Sequence, residues 1–152
     1  MVTISGQKHW LWRAVDQDGY VLDEIVQSRR NTTAAKRLLR RLLRKQGCPP
    51  RRMITDKLGS YTAAQRQVMP DVEHRSHKGL NNRAENSHLP FRRRERARQG
   101  FRSPRYLQRF VSIFSGVRNL FVPPRSHRSA SATHLHRLSA IAEWKAMANI
   151  AA

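Results

Sequence analysis

The stretch HWLWRAVDQDGYVLDEIVQ, residues 9 to 27, decides the fold. Trp10, Trp12 and Ala14 alternate along an extended segment, the period of a strand with one buried face. Asp16-Gln17-Asp18-Gly19 follows as a turn signal, with Gly19 free to take a positive φ. Residues 20 to 27, YVLDEIVQ, return as a second strand, so the stretch predicts an antiparallel hairpin. Val2 to Ile4 reads as the end of another strand.

Downstream of the hairpin the period changes from two to that of a helix. Ala35, Leu38, Leu39, Leu42 and Leu43 make an apolar stripe, and Arg37, Arg40, Arg41, Arg44 and Lys45 fill the other side. Thr32 or Thr33 is the expected cap, and Gly47 with Pro49-Pro50 ends the helix. Residues 52 to 55 read as a short strand stopping at Asp56, residues 60 to 68 as a helix, and 72 to 75 as another short strand. A polar helix is expected from about Asn82 to Gln99, stopped by Gly100. Ser103-Pro104 starts an apolar helix whose buried face is Tyr106, Leu107, Phe110, Val111, Phe114, Val117 and Leu120. Pro123 to Thr133 has the composition of a linker, and residues 137 to 149 read as a short last helix. This order predicts a mixed α/β plan with helices packed on a sheet.

Charge narrows the function. The 152 residues hold 30 Lys and Arg against 10 Asp and Glu, a formal net charge of +20. Such an excess predicts a polyanionic partner bound through phosphates, with affinity falling steeply in salt. The single cysteine, Cys48, allows no internal disulfide and has no neighbouring base to activate it. The N-terminus lacks the apolar core of a signal peptide and no apolar run is long enough to span a membrane, so the expected location is the cytosol.

With so few acidic residues, each is informative. Asp56 stands where a strand gives way to a loop, in ITDKLGSY, and ligands of open α/β sheets gather beyond such strand ends. Glu85, in NNRAENSH, lies near a helix start inside a basic region. Brought together, two carboxylates facing a basic surface make a site for Mg²⁺ and phosphodiester chemistry. Spacing alone leaves open that both are ordinary surface or capping carboxylates. Arg92, Arg93, Arg94, Arg96 and Arg98 form a basic stripe suited to phosphates, which positions a duplex without reading its sequence. His74 and His77 have metal-pair spacing, but no third nitrogen or sulfur ligand completes a zinc set nearby.

Three segments together, ITDKLGSY, VEHRSHKGLNNRAENSH and RRRERARQGFRSPRYLQRF, resemble the catalytic domain of insertion-sequence transposases of the IS six family, and the hairpin matches the region before them. The resemblance covers residues 2 to 121. It implies an RNase H-like fold, a D-D-E carboxylate triad, and Mg²⁺ or Mn²⁺ used to cut DNA strands and join them to a target. It makes Asp56 the second Asp of the triad and Glu85 its Glu. Arg92, seven positions after Glu85, matches a basic residue that contacts the DNA end, and Lys57 and Arg83 join the DNA-contacting set. The family's first catalytic Asp lies a few residues before the position of Val2. No Asp precedes Asp16 here, and Asp16 and Asp18 match turn positions. The expectation is therefore an RNase H-like domain over 1–121 with a truncated first strand, and a basic linker with a short helix over 122–152. It is expected to bind transposon ends and target DNA at the bacterial nucleoid, to associate as a homo-oligomer or with full-length transposase, and to be catalytically defective as encoded. The alternatives in other classes are a non-catalytic DNA-binding protein and an RNA-binding protein of ribosomal type.

Overall fold

The computed structural model describes residues 1–97, 100–123 and 129–148, apart from the side chains of Lys78 and Arg83. Two compact units emerge, Met1–Ser112 and Ile113–Ala152.

In the first unit, β1 (Val2–Ile4), β2 (Gln7–Val15) and β3 (Val21–Gln27) form an antiparallel sheet in that order. Ser5 at φ 48° and Gly6 at φ 76° make the two-residue turn between β1 and β2, the mirror-image turn whose twist suits a hairpin. The turn between β2 and β3 is built on Asp16. Its Oδ1 accepts from the backbone N–H groups of Asp18, Gly19 and Tyr20 at 2.8, 2.8 and 3.0 Å, and Gly19 takes φ 92°. Asp16 is thus spent on the turn.

α1 (Thr32–Gln46) follows. Its cap is Asn31, whose side chain accepts from the Ala34 N–H, and not Thr32 or Thr33. Asn31 is the last residue with extended backbone, so only its Oδ1 faces the free N–H groups of the first turn. Gly47 ends the helix at φ 73°. A βαβ unit comes next: β4 (Arg52–Thr55), α2 (Gly59–Val68) and β5 (Glu73–Ser76), with β4 and β5 parallel.

Alternation along the hairpin assigns its two faces to different helices. Trp12 and Ile25 are directly opposed and pack with Ala34, Ala35, Leu38 and Leu39 of α1 and Ala64 of α2. Trp10 and Ala14 join this core, as the period of two requires. Arg13 and Glu24, the next opposed pair, face the other way. There lie α3 (Asn82–Ser87) and α4 (Leu89–Ala97), reached through a single 3-10 turn at Lys78–Leu80. The continuous helix expected over 82–99 is broken at His88. Pro90 has no N–H and its ring would collide with the carbonyl four residues back, so the chain restarts as α4 with Pro90 in its first turn.

α5 (Pro104–Phe121) starts as expected, with the Ser103 hydroxyl accepting from the Tyr106 N–H. Leu107 and Val111 are buried, but Tyr106 is exposed. The Gln108 side chain covers the edge of β3: it accepts from the Val26 N–H at 2.8 Å and donates to the Glu24 carbonyl at 3.0 Å. A strand edge that could pair with another chain is thereby closed.

In the second unit the last helix, α6 (Ala130–Met147), begins seven residues earlier than the expected start at 137. Ser129 caps it, accepting from the Ala132 N–H, and gives the helix its early start. The expected linker residues 124–128 lie outside the described residues.

Candidate nucleic-acid and metal site

The site is assembled at the carboxyl ends of β4 and β5. Asp56 immediately follows β4, and parallel pairing brings the end of β5 beside it. The Ser76 hydroxyl donates to the Asp56 carbonyl at 3.1 Å, and the His77 N–H donates to the Thr55 carbonyl at 3.2 Å. The Thr55 hydroxyl donates to the same Asp56 carbonyl and lies 2.8 Å from His74 Nε2. Burial holds the His74 ring below its ordinary pKa, so it is neutral. The backbone at Asp56 is therefore tied from three sides while its carboxylate stays partly open, with 32% of the side chain exposed. One carboxylate oxygen accepts from the Leu58 N–H and the other from Arg30 at 3.0 Å. Tyr61, partly buried and packed edge-to-face with Trp12, has its pKa raised first by desolvation and then by the charge of Asp56.

Glu85 sits on α3, exposed, with no ion pair among the described residues. What locates α3 is the pair Arg13–Glu24, with side chains only 1% and 3% exposed. Arg13 Nε and Nη2 donate to Glu24 at 2.9 and 2.7 Å. Arg13 Nη1 donates to the Ser87 carbonyl, and the guanidinium stands 6.0 Å over the Phe91 ring. One buried side chain thus fastens both the end of α3 and the start of α4 to the sheet. This role was not foreseen from the sequence, because the opposition of Arg13 and Glu24 follows from a strand register that the sequence does not show.

Arg92 and Glu85 lie on separate helices because of the break at His88, so the single-face relation expected from their spacing does not hold. Arg92 pairs with Glu95 at 3.3 Å and donates to the Met1 carbonyl at 2.8 Å. The Met1 amine is held below its ordinary pKa by partial burial and by the positive charge of Arg92 and, more weakly, Arg30, against the opposing charge of Glu95. His88 is pushed down to about 4 by burial and by Arg13, Arg92 and the chain's amine. Arg30 thus holds Asp56, while Arg92 binds at the start of β1. Met1, Thr3, Arg92, Glu95, Arg96 and Gly100 line an open groove of about 550 Å³ there.

Lys57, Arg93, Arg94 and Arg96 are exposed. Arg83 is on α3 but its side chain, like all of Arg98, lies outside the described residues. No hydrogen bond or ion pair joins Asp56 to Glu85. Among the described residues, no three His, Cys, Asp or Glu side chains cluster as metal ligands. No described helix is long and apolar enough to cross a membrane.

A family model described as a DDE domain, that of the IS240 type, matches residues 1–123. Two Staphylococcus aureus proteins, the transposase for insertion sequence-like element IS431mec and the transposase for insertion sequence element IS257 in transposon Tn4003, are each 32% identical over 93 residues. The match covers 57% of this chain and 41% of each relative, so the chain spans less than half the length of the relatives it matches. No solved structure matches. With most of its length matched by that family model, the chain belongs to the DDE transposases of the IS six family.

Proposed function

We propose that this chain carries part of the machinery that cuts and rejoins DNA strands in transposition, with Asp56 and Glu85 as two carboxylates of a metal-dependent site. The observation that carries the reading is that Asp56, held by Arg30, ends β4 beside the end of β5, while Arg92 binds the Met1 carbonyl at the start of β1. Residues placed ahead of Met1 on the line of β1 would enter beside Arg92, and that is where the family resemblance calls for a third carboxylate.

The residues present fit a hard dication. Both are carboxylates, and Asp56 already holds a cationic group, the Arg30 guanidinium. Bound Mg²⁺ or Mn²⁺ would supply charge stabilisation to the attacking and leaving oxygens of an in-line displacement. The chain's own residues do the rest. Arg92, Arg93, Arg94 and Arg96, with Lys57, hold the phosphates of a transposon end or target. Arg83 and Arg98 are assigned to the same set from the sequence. The Arg13 clamp fixes the helix that carries Glu85, and His88, whose pKa is pushed down to about 4 first by burial and then by the charges of Arg13 and Arg92, adds no charge there.

An RNase H-like arrangement over 1–121 agrees with a sheet ordered β3-β2-β1, a β4-β5 pair, and helices on both faces of the hairpin. We place the protein in the bacterial cytoplasm at the nucleoid, as an oligomer or paired with a longer transposase, and assign residues 122–152 no catalytic part.

The polypeptide of residues 1–152 is expected to give almost no Mg²⁺-dependent strand joining, because Asp16 is engaged in its turn and no other carboxylate precedes Asp56 except Asp18, Asp23 and Glu24 of the hairpin. A fusion that extends β1 at its N-terminus and carries one Asp should join strands, and Asp56→Asn or Glu85→Gln in that fusion should abolish it. Full joining by the 152-residue polypeptide, or by the fusion carrying Asp56→Asn, would show the assignment to be wrong.

A further inference from the structure

We infer that the outer face of α1 is a second binding surface for double-stranded DNA, separate from the Asp56–Glu85 site. The inference rests on the reading that this chain handles DNA, and it adds a surface that the reading does not assign.

Four facts point there. α1 has six basic residues in 15 and no acidic one. Two of the six, Arg41 and Lys45, are occupied by Asp23, whose side chain is only 4% exposed and lies at the foot of the helix on β3. Burial pushes its pKa up, but the hydrogen bonds from Arg41 and Lys45, and then their charges, hold it below the ordinary range. Arg37, Arg40 and Arg44 remain exposed, with no acidic partner among the described residues. At 3.6 residues per turn these three fall within an arc of about 60° and along about 10 Å of helix. A row of unpaired arginines so spaced destabilises an isolated helix, and a row of phosphates neutralises it.

The position of this stripe separates it from the other basic surface. α1 covers the Trp12–Ile25 face of the sheet, whereas Arg13 ties α3 and α4 to the opposite face. Arg37, Arg40 and Arg44 point away from the sheet on one side, and Arg93, Arg94 and Arg96 are exposed on α4 on the other. With two helix diameters of about 10–12 Å and a sheet between them, the outer faces stand roughly 30 Å apart. One straight duplex cannot lie on both. A strand-joining protein must hold two DNA segments at once, and a surface on each side of the sheet meets that need.

The test uses the full chain and a short duplex of arbitrary sequence. Wild type is compared with Arg37→Gln/Arg40→Gln/Arg44→Gln, with the corresponding triple Lys variant, and with Arg93→Gln/Arg94→Gln/Arg96→Gln. A bead-tethered duplex is then asked to capture a second, labelled duplex through the protein. Wild type and the Lys variant should capture it. The Gln variant of α1 should still bind the beads but lose the capture, and its slope of log affinity against log salt should fall by about 0.9 for each phosphate released. Unchanged capture by the α1 Gln variant overturns the inference and leaves the site reading intact. Equal loss in the Gln and Lys variants also overturns it, since charge is then not what matters. Failure of wild type to bind any duplex would defeat the DNA reading itself, and this inference with it.

Discussion

The two faces of the hairpin sheet are held by different physics. On the α1 face, Trp12 and Ile25 meet Ala34, Ala35, Leu38 and Leu39, and attraction is apolar and non-directional. On the α3–α4 face a buried guanidinium with a carboxylate, a carbonyl and an aromatic ring around it adds a directional contact to the aromatic cluster of Phe91, Phe101 and Phe110. The first face can stabilise the domain without fixing the helix closely. On the second face the ion pair itself adds little net stability, because both charges had to leave water, but its bond to the Ser87 carbonyl sets where Ser87, and so Glu85 two residues before it, must lie. A directional, positioning contact is thus confined to one side of the strand pair.

Substitutions can break that contrast. The largest effect is expected for Arg13→Leu, which leaves Glu24 buried and unpaired at a cost of about 3–5 kcal/mol. Adding Glu24→Leu should recover most of the melting temperature. Amide exchange across α3 should nevertheless stay fast in the double variant, because the bond to the Ser87 carbonyl is still missing. Recovered protection in α3 would mean that the clamp does not position it. On the other face Leu38→Ala should cost about 2–5 kcal/mol, read by denaturant unfolding, while leaving α3 exchange altered only through global stability.

A pH titration sharpens the contrast further. The unfolded chain protonates His88 near 6.5, but in the fold its pKa is about 4. Between these values the unfolded state binds more protons, so this stability is full above about 6.5 and is lost as pH falls toward 4. The expected loss is on the order of 2–3 kcal/mol. His74 shifts in the same direction. His88→Leu should flatten most of that slope, and an unchanged slope would place the pH sensitivity elsewhere. The smallest effect is at the α1 cap, where Asn31→Ala should cost about 1 kcal/mol in thermal unfolding and leave the α3–α4 face untouched.

The hairpin, α1 and the βαβ unit were legible because each carries a clean period and a chemical stop. Trp10, Trp12 and Ala14 do face one core, and Gly47 does end α1 in the left-handed region. The polar segment 82–99 was harder to read. Its charges have no apolar period, and Pro90, the residue that splits it, sits within an otherwise helix-favouring run. The pairing of Arg13 with Glu24 depends on strand register, and its reach to Ser87 spans 74 positions, so neither could be read from spacing. Asp56 at a strand end was legible, since a strand running into a loop at that point needs only a few residues to recognise. How Glu85 relates to it depends on how the 3-10 turn and α3 follow β5, which is a matter of tertiary packing.

The central claim is that Asp56 and Glu85 serve one metal ion site. Paramagnetic broadening of amide NMR signals by Mn²⁺ titrated into the 152-residue chain tests it most directly. The account predicts that amides around Asp56 and around Glu85 broaden together at the same Mn²⁺ concentration, and that Asp56→Asn or Glu85→Gln weakens both sets. Broadening around only one of the two carboxylates, or a Glu85→Gln variant that leaves the Asp56 signals as responsive as before, would contradict it.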